Sequence, residues 1–291
     1  MKVALYGKQF KQSFNEKCSQ LFSFLSQNGV DIYIDDSFLS FIQSQNIPIE
    51  YKATFSDKKL LESCDMLLSI GGDGTFLDAA TIIAEKSIPI VGINTGRLGF
   101  LADISTEELP SAITDILQKK YKIREVELLK LEPNITQFKD LNFGLNELTV
   151  QKADSSSMIT VHTWLNNQFL SSYWADGLII ATPTGSTAYS LSVGGPIIVP
   201  SANSFVITPI APHNLTVRPV IVPNDVEIKL KIESRGKHFL ASLDSRNATL
   251  DTGTELIIKK ADFNIKIIER DKQSFYSTLR SKLMWGADKR N

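Results

Sequence analysis

The hydrophobic period of this chain changes near residue 122, and that change restricts it to a two-part architecture. Before that point, strand and helix signals alternate. Residues 3–6 form a short apolar run, and Phe10, Phe14, Cys18, Leu21, Phe22 and Leu25 recur at helical spacing before Asn28-Gly29. Val30, Ile32 and Ile34 alternate as a strand, residues 66–70 form a buried-strand run, and Phe76, Leu77, Ala80, Ile83 and Ala84 mark a helical face ahead of another strand at 88–93. Interleaved strands and helices predict a mostly parallel sheet with helices on both sides. After 122, short β-branched runs take over, at 148–150, 159–164, 178–181, 197–199, 220–222, 226–232 and 255–259. Asn166-Asn167, Pro223-Asn224-Asp225 and Asp251-Thr252-Gly253 punctuate them, which predicts an all-β domain of sandwich type. Helical spacing returns after 271, with Phe275, Leu279 and Leu283 four apart, in a tail expected to pack on the first domain. A length of 291 residues accommodates two such domains.

Lys and Arg (31) nearly balance Asp and Glu (32), a net charge of −1 that offers no general field for nucleic acid or an anionic membrane. No apolar run approaches the roughly 18 residues of a membrane span, and the apolar run at the N-terminus is interrupted by Lys8 before it reaches signal-peptide length. The two cysteines, Cys18 and Cys64, have no metal-ligand spacing and suit a reducing compartment; a cytoplasmic protein is expected.

Gly71-Gly72-Asp73-Gly74-Thr75 lies between a strand and a helix. Glycines there let a backbone approach a ligand closely, and the N–H groups opening the next helix favour an anion. No Gly-Lys-Ser/Thr follows, so this is not a Walker A loop. A carboxylate among phosphate-cradling glycines points to a proton or a metal, whereas a bland strand-to-helix turn would use Asp73 as an N-cap. Residues 94–101 follow the next strand and should lie at the same strand ends, where Arg97 could meet phosphate or simply occupy a glycine-rich turn. Asn146-Glu147 pairs an amide with a carboxylate, a combination able to grip vicinal ribose hydroxyls, although most such pairs are solvated loop residues. From Asp176 to Pro196, glycines and small hydroxyl residues form a backbone that a planar base can approach; the interleaved Leu178, Ile179, Ile180 and Leu191 argue against a flexible linker. The three histidines, His162, His213 and His238, look structural, and without a Cys/His cluster no zinc site is expected.

Together these residues resemble the NAD kinase family from Val3 to about Gly286. Gly-Gly-Asp-Gly-Thr alone is shared with lipid kinases and, more loosely, phosphofructokinases. The block 182–196, its order relative to Asn146-Glu147 and to residues 209–213, and the tail 275–286 are more specific. The resemblance implies a Rossmann-like α/β domain over 1–122, completed by the tail 271–291, and a β-rich dinucleotide-binding and oligomerising domain over 123–270. It implies Asp73 as the catalytic aspartate, Gly74 beside the dinucleotide, and Asn146 and Glu147 on the adenosine ribose. Thr187, Ala188, Tyr189, Ser190, Leu191 and Ser192 would line the base and ribose pocket, Asp176 and Ala211 the nicotinamide side, and Arg246 another ligand position. Trp174 and Ser157 stand where family members often carry a basic or imidazole side chain. The implied reaction is phosphorylation of the 2′-hydroxyl of NAD's adenosine ribose by ATP with a divalent cation, expected to be Mg²⁺, in a homodimer or homotetramer. Two rivals are a lipid kinase sharing the glycine loop and a non-catalytic NAD(H)-binding regulator. The absence of an amphipathic membrane-binding segment opposes the first, and the Asp73 carboxylate the second.

Overall fold

The computed structural model describes residues 1–56, 58–96, 99–138, 141–153, 157–271 and 274–284. Two compact units emerge: residues 1–125 with 265–291, and residues 126–264.

The first unit is built on a parallel sheet. Its order is Ala53–Phe55, Asp31–Asp35, Lys2–Gly7, Met66–Gly71, Ile90–Asn94, and then the closing residues of Glu255–Arg270, which meet Ile90 at Ile267. Alternate strand residues Val3, Leu5, Ile32, Ile34, Met66, Leu68, Val91 and Ile93 form one core with the helices Asn15–Gln27, Asp36–Ser44 and Leu109–Leu117. The intervening Gly92 faces the other side. A β-carbon there would lie 2.9 Å from the Phe76 ring, so helix Asp73–Ile83 covers the opposite face. Burial on both faces explains why Asp31–Asp35 shows a continuous buried centre, Ile32 to Ile34, instead of the half-buried alternation its sequence suggested. The first long helix starts at Asn15, after a 3-10 turn at Gln12–Phe14, so Phe10 lies ahead of it. It ends at Gln27 with Asn28 as C-cap, and the next residue, Gly29, has a φ of 67° that suits a residue without a side chain. The last helix, Phe275–Leu283, opens with a Ser274/Ser277 capping box.

The second unit contains two antiparallel sheets. One runs Val220–Pro223, Ser204–Ile210, Gly177–Ala181, Glu147–Lys152, His238–Leu243 and Arg246–Asp251. The other holds Gln168–Ala175, Ile159–Leu165, Ile228–Glu233 and the opening residues of Glu255–Arg270. Leu148, Val150, Leu178, Ile180, Phe205 and Phe239 of the first sheet share a core with Ile159, Val161, Ile228, Leu230, Leu256 and Ile258 of the second, which makes a sandwich. Asn166 and Asn167, at φ 47° and 65°, form the two-residue turn between Ile159–Leu165 and Gln168–Ala175.

Residues 197–199, expected as a strand, are irregular. Ile198 is buried against Ile179, Ala181, Val206 and Ile210 on the sandwich's outer face, and its N–H is taken by the Ser186 hydroxyl (3.0 Å) rather than by a neighbouring strand. Flanking Pro196 and Pro200 limit ladder pairing there.

Candidate active site

In the first unit the buried strand Met66–Gly71 delivers the chain to Gly72, the N-cap of helix Asp73–Ile83. Asp73 occupies the first helical position, and its carboxylate does not cap the helix. It accepts backbone N–H bonds from Phe100 (2.9 Å), Leu101 (3.0 Å) and Ala102 (2.9 Å). Lys282, from the last helix, lies 3.5 Å from its Oδ2 and 4.4 Å above the Phe100 ring. Gly72 and Gly74 face open space, so the first turn is accessible to a ligand that seeks its N–H groups. Gly99 is required for the clasp: a β-carbon there would stand 1.9 Å from Asp73 Oδ1. Gly99→Ala is therefore expected to push segment 99–102 off the carboxylate and reduce turnover by roughly tenfold or more. Steady-state rates, with hydrogen exchange of the amides at 100–102, check this; wild-type values of both would contradict it. Arg97 lies outside the described residues, as do Trp285 and Gly286 of the tail.

The second unit holds Asn146 and Glu147 at the entry to strand Glu147–Lys152. Their backbone is clasped by Asp244, which takes the N–H groups of Leu145 (2.9 Å), Asn146 (2.8 Å) and Glu147 (3.1 Å) and returns its own N–H to the Glu147 carbonyl (3.0 Å). The buried Thr182 hydroxyl donates to the Leu145 carbonyl (2.6 Å), and the Thr182 N–H donates to the Asn146 carbonyl (2.8 Å). Gly185 packs so closely that a β-carbon would fall 2.1 Å from the Asn146 carbonyl oxygen. Three buried polar atoms in this cluster, Asn146 Oδ1, Glu147 Oε2 and Thr184 Oγ1, have no hydrogen-bond partner within the protein. Unsatisfied buried acceptors are costly, and here they present a set of partners for a polyhydroxyl ligand. Burial, reinforced by the Asp244 carboxylate, pushes the Glu147 carboxyl up to about 8. Asp244 is itself raised by burial, against its three N–H donors and Arg246.

The segment 182–192 is compact. Residues 181–186 are buried, Thr187 and Ala188 are half-buried, and Tyr189 is exposed with its hydroxyl receiving the Gln151 amide (2.9 Å). Ser190 is fully buried and its hydroxyl is engaged with Thr208 Oγ1 (2.9 Å), so it braces the segment from behind; Leu191 is half-buried and Ser192 exposed. Asp176 pairs with Lys152 (2.6 Å), and its N–H bonds the carbonyl of Ile210, which brings it beside Ala211 at φ 44°. Trp174 lies beside His213, with ring centres 4.3 Å apart and planes tilted by 49°. Arg246 points inward: its guanidinium bonds the Leu141 and Phe143 carbonyls and lies 5.4 Å from the Phe143 ring centre, the geometry of a strut for the chain leading to Asn146.

Asp244, Lys282 and Lys152 were not singled out from sequence. Asp244 sits in Leu243-Asp244-Ser245-Arg246, which reads as a polar hairpin turn, and only the φ of 51° at Asp244 and the three converging amides reveal a clasp.

The site and fold define a Rossmann-like α/β unit with a Gly-Gly-Asp-Gly loop, paired in one chain with a β-sandwich bearing an amide–carboxylate pair, a layout of nucleotide-handling phosphotransferases. The family model of the ATP-NAD kinase N-terminal domain matches residues 3–121, and that of the C-terminal domain matches 145–270. The chain is 49% identical to an NAD kinase of Flavobacterium psychrophilum over the full length of both, and 46% identical to one of Bacteroides fragilis, again over both full lengths. The fold is also that of a yeast NADH kinase solved with NADH (TM-score 0.87, 22% identity, 99% of this chain and 88% of the other). An Archaeoglobus fulgidus NAD kinase solved with ATP shares it (TM-score 0.76, 24% identity, 98% and 99%). This chain belongs to the NAD kinase family.

Proposed function

We propose that this protein transfers the γ-phosphoryl group of ATP to the 2′-hydroxyl of NAD's adenosine ribose, yielding NADP and ADP. The observation that carries this reading is the cluster of unsatisfied acceptors on Asn146, Glu147 and Thr184 in a member of this family. Donor hydroxyls of a ribose satisfy those acceptors. Phosphoryl transfer needs in-line placement and charge neutralisation more than covalent chemistry. Asp73 orients and accepts the 2′-hydroxyl proton, while Gly74 and the opening turn of helix Asp73–Ile83 receive phosphate oxygens. Thr187, Ala188, Tyr189, Leu191 and Ser192 border the base, with Ser190 bracing them, and Asp176 and Ala211 border the nicotinamide half. Among the described residues no three His, Cys, Asp or Glu side chains gather as a metal site. Mg²⁺ carried on the nucleotide's own phosphates would supply charge neutralisation.

Contacts to the remote nicotinamide half align the reacting hydroxyl, so adenosine is expected to react far more slowly than NAD, with the deficit in kcat and not only in KM. Steady-state kinetics with NAD, adenosine and a diacylglycerol at matched ATP and Mg²⁺ test this; comparable kcat/KM for adenosine, or preference for the lipid, overturns the proposal.

The working form is a homodimer or homotetramer assembled through the β unit, in the cytoplasm. Edge strand Gln168–Ala175 exposes Phe169 (60%) and Trp174 (49%), apolar area that a second copy can cover. Cys18 and Cys64 are free, buried thiols, raised by burial, which suits a reducing compartment. Light scattering is expected to give a multiple of 32.4 kDa, and a fully active monomer contradicts the assembly.

A further inference from the structure

The last helix, Phe275–Leu283, turns one face to the aspartate of the glycine loop. Phe275, Leu279 and Lys282 stand at positions i, i+4 and i+7, which share a helix face. The Phe275 ring lies 6.4 Å from that of Phe100, and Leu279 is buried. The Lys282 ammonium stands 4.4 Å above the Phe100 ring and 3.5 Å from Asp73 Oδ2. We propose that Lys282 is a catalytic residue whose ammonium touches an oxygen of the phosphoryl group in transfer; the proposal rests on the kinase reading above.

Two plainer roles are open to this lysine. A cation in the last turn of a helix complements the backbone dipole, and a surface ion pair adds up to about 1 kcal/mol. Arg280, exposed in the same turn, already serves the dipole. The ion-pair role leaves most of the ammonium unused. At 3.5 Å it is farther from Asp73 than the roughly 2.7–3.2 Å of a closed N–H···O bond, so its three donors are not spent on that carboxylate. Asp73 opens helix Asp73–Ile83, so the ammonium also stands beside the first turn, where Gly72 and Gly74 face open space. Residues 71–80 contain no Lys or Arg, so the loop offers phosphate its N–H dipoles but no full positive charge. A Walker A loop carries its phosphate-binding lysine within the loop. Here the cation arrives from the far end of the chain.

The chemistry has a use for it. Transfer breaks the bond from the γ-phosphorus to the bridging oxygen of ADP and forms one to the 2′-oxygen, while the hydroxyl proton passes to Asp73. Lys282 keeps all its protons and contributes charge alone. A phosphoryl group and the Asp73 carboxylate repel each other at close range, and an ammonium within reach of both offsets that repulsion. It also opposes the negative charge spread over the equatorial oxygens in the transition state. Phe100 holds the cation in place from below, through its ring, while its own N–H holds the same carboxylate oxygen.

The test uses the full chain. Lys282→Met keeps an unbranched stem over Phe100 without the charge, and is expected to lower kcat by roughly 10²-fold with KM for NAD changed by less than about twofold. Lys282→Arg keeps the charge and is expected to recover most of that loss. The readout without turnover is calorimetric binding of AMP-PNP, a triphosphate whose γ-group resists transfer, against ADP, each with Mg²⁺. Lys282→Met is expected to weaken the first by about fivefold or more and the second by less than about twofold. Hydrogen exchange of the amides at 100–102 is expected to keep its wild-type rates, which loss of a brace for the clasp would not allow. Unchanged kcat, equal changes in AMP-PNP and ADP affinity, no recovery with arginine, or faster exchange at 100–102 each overturn the proposal. Failure of the wild-type protein to make NADP refutes the kinase reading separately, because the comparison of the two nucleotides needs neither acceptor nor turnover.

Discussion

Asp73→Asn is expected to leave the fold and most NAD binding in place while lowering kcat by on the order of 10²-fold or more. Two physical losses coincide. The amide cannot accept the 2′-hydroxyl proton. It also replaces one acceptor oxygen with a donor in a place where Phe100 N–H and the Lys282 ammonium already point inward at Oδ2. Gly99→Ala separates the two, because it disturbs the clasp and leaves the carboxylate. If Asp73→Asn loses much more turnover than Gly99→Ala, the carboxylate acts on the substrate. Equal losses assign it to loop geometry alone, and near-wild-type turnover of Asp73→Asn removes it from the mechanism. Rapid-quench kinetics with calorimetric NAD binding makes the measurement.

Glu147→Gln is expected to weaken NAD binding by roughly tenfold or more, slow transfer, and stabilise the ligand-free protein at alkaline pH. A carboxyl that burial holds up to about 8 stays protonated in the folded chain below that pH, whereas in the unfolded chain it ionises near the ordinary 4.5. Between those values the folded state binds more protons, so stability falls as pH rises from about 4.5 to about 8 and then levels off. Glutamine has no proton to lose, which removes that slope. At pH 8 the variant is expected to melt a few degrees higher, at roughly 2–4 °C per kcal/mol, with the advantage vanishing near pH 4. Asn146→Ala is expected to share the binding and kinetic loss. Melting across pH with calorimetric NAD titration tests both; unchanged NAD affinity together with unchanged kcat would end the ribose-grip assignment.

Much of this architecture was legible because burial leaves a mark on composition. The run at 178–181 is apolar throughout and the run at 66–70 is apolar but for Ser69, since each strand is covered on both faces. The Gly-Gly-Asp-Gly loop was visible because glycines beside a carboxylate have few bland uses. What stayed hidden depends on contacts far apart in the chain. Nothing local distinguishes Asp244 from an ordinary turn aspartate, yet its carboxylate reaches residues 145–147. The resemblance implies a ligand position at Arg246, and nothing local announces that its guanidinium also bonds backbone carbonyls at 141 and 143. The error at 197–199 has the same origin: β-branched residues flanked by prolines satisfy a hydrophobic pattern whether they pair in a ladder or simply cover a sheet.

Lys282 comes from the last helix, and the unit that carries Asp73 is assembled from residues 1–125 and 265–291. During synthesis, the parallel sheet must therefore wait for its final strand and for the cation beside its aspartate until nearly the whole polypeptide has left the ribosome. The sandwich between them is available to fold earlier, since residues 126–264 emerge as an uninterrupted stretch. A translation product ending between 264 and 275 would keep the sandwich's own sequence yet lack the counter-charge at Asp73, so incomplete chains are born without the full surroundings of that carboxylate.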